Sequence, residues 1–262
     1  MAQEIALVTG ASSGIGEALA RRIARDARPV GLVARRKDRL EALAGEIRAQ
    51  HKVDAHVFAS DLTRPSAVRE LAVEVEARGL VVDWLVNNAG FGTFGKFHEL
   101  PVARELEEIR LNVEALVELT GRFTPGMVKR GRGLVMNVSS VGGFVPSPQM
   151  ATYTATKAFV LSFSEAIGAE LEGTGVPVLC VCPGFTRTEF QSHVDVDTGA
   201  VPAMAWQSAD QVADEAVRAA GRGGVLVNGL MNRALAAALK FVPRSLAIRS
   251  ATMLLKPREG SV

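Results

Sequence analysis

Ile5-Ala6-Leu7-Val8 is an unbroken apolar run, and Thr9-Gly10-Ala11-Ser12-Ser13-Gly14-Ile15-Gly16 follows it without a gap. Beyond the glycines, Ile15, Ala18, Leu19 and Ile23 recur at helical spacing. A short buried strand that turns through three glycines straight into a helix is the order a dinucleotide site requires. Glycine lets the backbone turn tightly and approach a pyrophosphate, while the free N–H groups and dipole of the helix N-terminus attract its negative charge.

The rest of the chain repeats this alternation. Strands are predicted at 5–8, 29–34, 53–58, 83–87, 133–138, 177–182 and 224–228, separated by helical runs starting at 14, 37, 66, 101, 150 and 208. Such an order implies an α/β fold: a doubly wound parallel sheet of about seven strands, helices on both faces, and ligand at the carboxyl ends of the strands. No internal repeat or linker is evident, so residues 1–262 are expected to form one domain.

Two further patterns carry chemistry. The only tyrosine, Tyr153, opens the run Tyr153-Thr154-Ala155-Thr156-Lys157, with Ser140 thirteen positions earlier. On a helix, side chains four apart share a face, which sets the Lys157 ammonium beside the Tyr153 phenol. An ordinary tyrosine titrates near about 10, and a neighbouring cation is expected to lower that value toward neutrality, where proton exchange is most efficient. The second pattern stands nineteen residues after Gly16, where Arg35, Arg36 and Lys37 follow the second strand. A site for NAD places a carboxylate near that distance to hold the ribose diol. Here the charge is reversed, which suits the 2′-phosphate of NADP and predicts a preference for NADP(H) over NAD(H).

Together these motifs resemble the short-chain dehydrogenase/reductase family, in its shorter single-domain branch with a Rossmann fold. The resemblance spans residues 3 to 228 and rests on Thr9 to Gly16, Asp61-Leu62, Asn87-Asn88-Ala89-Gly90, Asn112, Ser139-Ser140, Tyr153 with Lys157, and Pro183-Gly184-Phe185-Thr186-Arg187-Thr188. It implies that Tyr153 donates a proton to a carbonyl oxygen that Ser140 also hydrogen-bonds. It implies too that Lys157 holds the nicotinamide ribose and lowers the tyrosine pKa, and that Asn112 supports a water-linked proton path. Cofactor contacts are implied at Thr9, Gly10, Ser12, Ser13, Gly14, Ile15, Gly16, Arg35, Arg36, Asp61, Leu62, Asn88, Ala89, Gly90, Tyr153, Lys157, Pro183, Gly184, Thr186 and Thr188. The expected activity is NADPH-dependent reduction of a ketone or aldehyde. An enzyme working mainly in the oxidative direction and a non-catalytic nucleotide-sensing module are the alternatives, because fold alone does not decide between them.

The remaining features narrow this reading. Phe91, Phe94, Phe144, Val145, Met150, Phe185, Phe190, Met204 and Trp206 lie in segments expected around the carbonyl site, which favours a hydrophobic substrate. Residues 185–206 resemble a mobile substrate loop. Cys180 and Cys182 are too few and too close for a disulfide framework, and the histidines at 51, 56, 98 and 193 show no metal-ligand spacing, so no metal is expected. Met1-Ala2-Gln3-Glu4 leads directly into the first strand, leaving no room for a signal peptide, and a cytoplasmic enzyme is expected. A formal charge of +2 gives no reason to expect nucleic acid. Residues 231–262 hold six Lys and Arg against Glu259 alone, a net +5 that leaves −3 for the rest of the chain. This basic, apolar extension is broken by Pro243 into two expected helices, for which a substrate-mouth cover, a peripheral membrane contact and subunit packing all remain open. Phe159, Phe163, Ile167 and Leu171 form an apolar row, and a homodimer or homotetramer is expected.

Overall fold

The computed structural model of the chain describes residues 2–190, 196–197, 199, 201–239, 241–254 and 256–257. Seven parallel strands form one sheet: β1 (Gln3–Thr9), β2 (Val30–Ala34), β3 (Ala55–Ala59), β4 (Leu80–Asn87), β5 (Leu134–Val138), β6 (Val178–Cys182) and β7 (Gly224–Val227). Their order is β7-β6-β5-β4-β1-β2-β3. β5 and β6 are buried along their whole length, as strands covered on both faces must be.

Each strand is followed by the helices that cover it. On one face α1 (Gly14–Arg25), α2 (Lys37–His51) and α7 (Ala209–Ala219) bury Leu19, Ile23, Leu40, Ile47 and Val212 against Val8, Leu32, Met136 and Leu179. On the other, α3 (Ala67–Ala77), α5 (Ala115–Arg130) and α6 (Ala151–Glu170) set Leu71, Val75, Leu119, Met127 and Ile167 on Leu7, Leu85, Val135 and Val178. α4 (Val102–Ile109) runs into α5 through a π-helical segment, Arg110–Glu114.

The chain reverses its direction of travel across the sheet at β1, which lies between β2 and β4. This opens a crevice above the carboxyl ends of β1 and β4, where ligands bind in sheets of this type. The strand ends there are fixed by buried polar bonds. Asn87 Nδ2 donates to Asn137 Oδ1 at 2.9 Å and to Thr120 Oγ1 at 3.1 Å, and Asn137 Nδ2 donates to Ser164 Oγ at 2.9 Å. β4, β5, α5 and α6 are thereby tied together beneath the crevice.

The extension forms α8 (Leu230–Leu239) and α9 (Arg244–Leu254), separated at Pro243 as expected. Asn232 and Ala236 turn inward, while Leu230, Leu235, Phe241 and Leu246 are exposed. Lys256–Pro257 pairs antiparallel with Val196–Asp197. Within the expected substrate loop and extension, residues 191–195, 198, 200, 240, 255 and 258–262 lie outside the described residues. Among those described, no helix is long and apolar enough to cross a membrane.

Candidate active site

The glycine turn is built by close approach. A Cβ on Gly16 would stand 2.3 Å from Gly10 O and 2.4 Å from Asn88 Nδ2, and one on Gly10, whose φ is +68°, 2.8 Å from Asn88 Nδ2. Only a bare backbone passes here. Thr9 and Asn88 lock the turn to β4: Asn88 N and Ala89 N donate to Thr9 Oγ1 at 2.9 and 3.0 Å, and Asn88 Nδ2 donates to Thr9 O at 2.9 Å. These two side chains therefore shape the turn. α1 begins with Ser13 as N-cap and no side-chain cap, which leaves its first amides directed at the crevice.

Arg36 lies across this turn, donating to Ser13 Oγ at 2.7 Å and Ser12 Oγ at 3.1 Å. It also pairs with Glu189 at 2.9 Å, and Arg39 joins the same carboxylate at 2.5 Å. The two guanidinium groups hold the Glu189 carboxyl down at about 2. Arg35 is exposed and acts electrostatically on Asp61. Burial pushes the Asp61 carboxyl up, but hydrogen bonds from Thr63, with Arg35 and Arg64, outweigh it and hold the pKa low. Neighbouring Leu62 is buried. On the far wall Thr188 covers Gly14, whose Cβ would meet Thr188 Cγ2 at 3.1 Å. Thr186 Oγ1 donates to Gly184 O at 3.0 Å, and Pro183 O accepts from Val141 N at 2.9 Å. Gly184 abuts Asn232, so the first helix of the extension seats directly on this turn.

The second cluster stands at the ends of β4, β5 and α6. Ser140 Oγ accepts from Gly142 N at 3.0 Å, and Ser140 lies near enough to Tyr153 to favour its ionised form. Lys157 is buried and donates from Nζ to Val138 O at 2.9 Å, while Ser139 Oγ donates to Lys157 O at 2.7 Å. Asn112 sits on the π-helical segment, an irregularity frequent at functional sites. Its Nδ2 donates to Phe91 O at 2.9 Å and Thr156 Oγ1 at 3.1 Å, and its Oδ1 accepts from Phe91 N at 3.1 Å. A Cβ on Gly90 would reach both Asn112 Oδ1, at 2.9 Å, and Lys157 Nζ, at 3.5 Å. Asn112, Ser140, Tyr153 and Lys157 thus converge at one end of the crevice.

One expectation is corrected. Lys157 does not lower the Tyr153 pKa in the protein alone. Burial pushes the phenol up to about 12, against a partial offset from Ser140. The Lys157 ammonium is 5.8 Å from the ring centroid and already engaged by a carbonyl, and its own pKa falls to about 8 for the same reason, burial. Loss of water around the phenol exceeds whatever the cation returns.

Apolar groups frame the phenol. Tyr153 and Phe190 rings lie 5.3 Å apart, with Phe94 and Met150 packed beside them. Phe185 and Trp206 meet at 5.5 Å, and the Arg104 guanidinium covers Phe91 at 4.0 Å. A Cβ on Gly92 would stand 2.9 Å from Tyr153 Cδ2. Sequence reasoning missed Glu189 and buried Glu108, whose Oε2 accepts from Thr93 N and Thr93 Oγ1 at 3.0 and 3.1 Å. Glu108 falls four residues before Asn112, and that helical interval was the one available signal.

A glycine cradle at an uncapped helix N-terminus, two arginines beyond it, and a buried lysine facing a tyrosine fit a nicotinamide dinucleotide. The short chain dehydrogenase model matches residues 4–199, and the chain belongs to that family. It is 39% identical over 180 residues to the very-long-chain 3-oxoacyl-CoA reductase of Coprinopsis cinerea, covering 66% of this chain and 52% of that protein. The chain therefore spans about half the length of that relative. A solved 7β-hydroxysteroid dehydrogenase superposes with a TM-score of 0.85 at 29% identity, covering 95% of this chain and 96% of the other. A short-chain dehydrogenase from Sphingobium yanoikuyae, in complex with NADPH, gives 0.80 at 34% identity over 93% and 94%.

Proposed function

We propose that the protein reduces a hydrophobic ketone or aldehyde to an alcohol with NADPH, Tyr153 acting as general acid. The observation that carries this reading is the convergence of Ser140, Tyr153, Lys157 and Asn112 at the end of the crevice that begins with the glycine turn. When bound, the nicotinamide supplies hydride to the carbonyl carbon. Charge then develops on the carbonyl oxygen, where the Ser140 hydroxyl and Tyr153 phenol are placed to donate, so they stabilise the transition state more than the ground state. Burial keeps Tyr153 protonated, with its pKa at about 12, which supplies the donor form that reduction needs. Oxidation would need the phenolate.

Arg36 on Ser12 and Ser13, with Arg35, Arg36 and Lys37 in place of a carboxylate directly after β2 in the chain, supports NADP(H) over NAD(H). The aromatic frame around Tyr153 supports an apolar substrate, in keeping with relatives named for oxoacyl-CoA and hydroxysteroid substrates. We read the extension as a cover beside the substrate mouth, since Asn232 seats on Gly184 and Lys256–Pro257 pairs with Val196–Asp197. An outward apolar face on α8 and α9 keeps peripheral membrane contact as the second reading for that element. Pairing of copies is read at the groove between α5 and α6, lined by Val117, Pro125, Val128, Phe163, Ile167 and Leu171. A cytoplasmic location is part of the same proposal. The test is NADPH oxidation over a panel of apolar ketones and aldehydes, with Tyr153→Phe alongside. Turnover in the parent and its loss in the variant are expected; turnover that survives the substitution removes the proposed acid, and cofactor binding without any turnover points to a sensing module.

A further inference from the structure

One enclosed acid beside this site has no part in the chemistry above. Glu108, near the end of α4, is 0% exposed. Enclosing a carboxylate is costly unless its oxygens are paired. Thr93 satisfies Oε2 through its amide and hydroxyl, but Oε1 has no hydrogen-bond partner among the described residues. A buried oxygen in that condition needs either a proton of its own or a bridging water.

Its surroundings are those of the reaction. Glu108 precedes Asn112 by one helical turn, and the two side chains clasp the same short loop, Glu108 at Thr93 and Asn112 at Phe91. Between those anchors Gly92 packs on the Tyr153 ring. The charged and titratable groups facing Glu108 are Glu105 on its own helix and Lys157 and Tyr153 on α6. Burial, reinforced by Glu105 and opposed by Thr93 and Lys157, pushes the carboxyl up to about 7. Glu108 is therefore part acid and part carboxylate at neutral pH, where a group exchanges protons best.

We propose that Glu108 is the internal proton store of this site, a positioning residue that takes up and returns the proton exchanged between solvent and the Tyr153–Lys157 pair. The inference rests on the reductase reading and deepens it. In each reduction the Tyr153 Oη–H bond breaks as its proton passes to the substrate oxygen. The phenolate then regains a proton at the expense of the Glu108 carboxylic acid, which becomes carboxylate and is reprotonated from solvent. No electron moves at Glu108.

A purely mechanical role, clasping the Thr93 loop, predicts something different. Glutamine offers one oxygen to accept both Thr93 bonds and keeps the clasp, but it stores no proton. Isotope-edited infrared titration of the cofactor-free protein is expected to show a protonated carboxyl that disappears with a midpoint near 7. That transition is missing in Glu108→Gln and moves to higher pH in Thr93→Val, which withdraws only a donor that favours the carboxylate. In turnover, the kcat profile loses its limb near 7 in Glu108→Gln while KM is unchanged. Calorimetry of NADPH binding in two buffers adds a readout free of turnover, because the proton count is expected to differ between parent and Glu108→Gln.

A carboxyl that titrates with the surface acids overturns the proposal, as does a kcat limb or proton count that survives unaltered in Glu108→Gln. A protein that turns over no carbonyl, yet keeps the infrared midpoint and the Glu108-dependent proton count, refutes the reductase reading and supports the store.

Discussion

Adding one methyl group at Gly16 pits two known effects against each other. Gly16 lies inside α1 and has no positive φ, so alanine is conformationally allowed and is favoured over glycine in a helix by roughly 1 kcal/mol. Against this, the new Cβ would stand 2.3 Å from Gly10 O and 2.4 Å from Asn88 Nδ2. Both neighbours are held, Gly10 by the tightness of its turn and Asn88 by its bond to Thr9 O. Neither can swing away as a flexible side chain would. Overpacking of this kind costs about 1–3 kcal/mol, and a clash with main chain belongs at the upper end. The net expectation for Gly16→Ala is a loss of about 2 kcal/mol, or ~4–8 °C in Tm for a chain of this size. Gly45 on α2 provides the control, because nothing lies within 4 Å of its Cβ position. Gly45→Ala keeps the helix benefit without the clash and is expected to raise Tm by ~1–4 °C. Thermal melts followed by circular dichroism give both numbers, and NADPH titration by fluorescence reports whether the turn has been forced open, with Kd rising at least about tenfold in Gly16→Ala alone. Two shifts of the same sign, or unaltered NADPH affinity in Gly16→Ala, would refute the argument that close packing, and not backbone freedom, demands glycine here.

Other expectations follow from the same geometry. Tyr153→Phe removes the donor and leaves the ring, so kcat should fall by about 10²–10⁴ while NADPH affinity and Tm hold, as steady-state kinetics and titration will show. Arg36→Glu should weaken NADPH binding by roughly tenfold to a hundredfold and NADH binding by less, since one charge-assisted contact is worth about 1.5–3 kcal/mol; equal loss for both cofactors argues against a 2′-phosphate contact. Lys157 has its pKa depressed in the folded state from 10.5 to about 8, so its neutral form is the one the fold favours. Its contribution to stability is present above about 10.5 and is lost as pH falls through about 8. Denaturant titrations of the parent and Lys157→Met across that window should therefore differ in slope, the variant being flatter.

What the sequence revealed depended on how local each cause was. All seven strands were legible because parallel strands buried on both faces are short apolar runs between turn signals. β4 begins at Leu80 instead of the expected 83, since Asp83 interrupts the apolar run. In the fold that carboxylate is buried and paired with Arg28, a partner 55 positions away that periodicity does not announce. The glycine turn and the Tyr153–Lys157 interval were visible for the same reason, being contiguous in the chain. Glu189 was invisible because its partner Arg36 is 153 positions distant. Glu108 stands in the run Glu105-Leu106-Glu107-Glu108, which reads as a solvated helix face. The sign of the Tyr153 shift also lay beyond spacing, which shows a neighbouring cation but not the water removed when Phe190, Met150 and Gly92 close round the ring.

Ser139 and Lys157 fasten α6 to the end of β5 at two points, side chain to main chain in each direction. The proposed proton donor consequently belongs to the chassis of the molecule. The aromatic walls come from detachable bodywork, the segments that carry Phe94, Phe185, Phe190 and Trp206. Under the proposed reaction, such a division would let the outer panels change, and with them the molecule admitted, without realigning the engine.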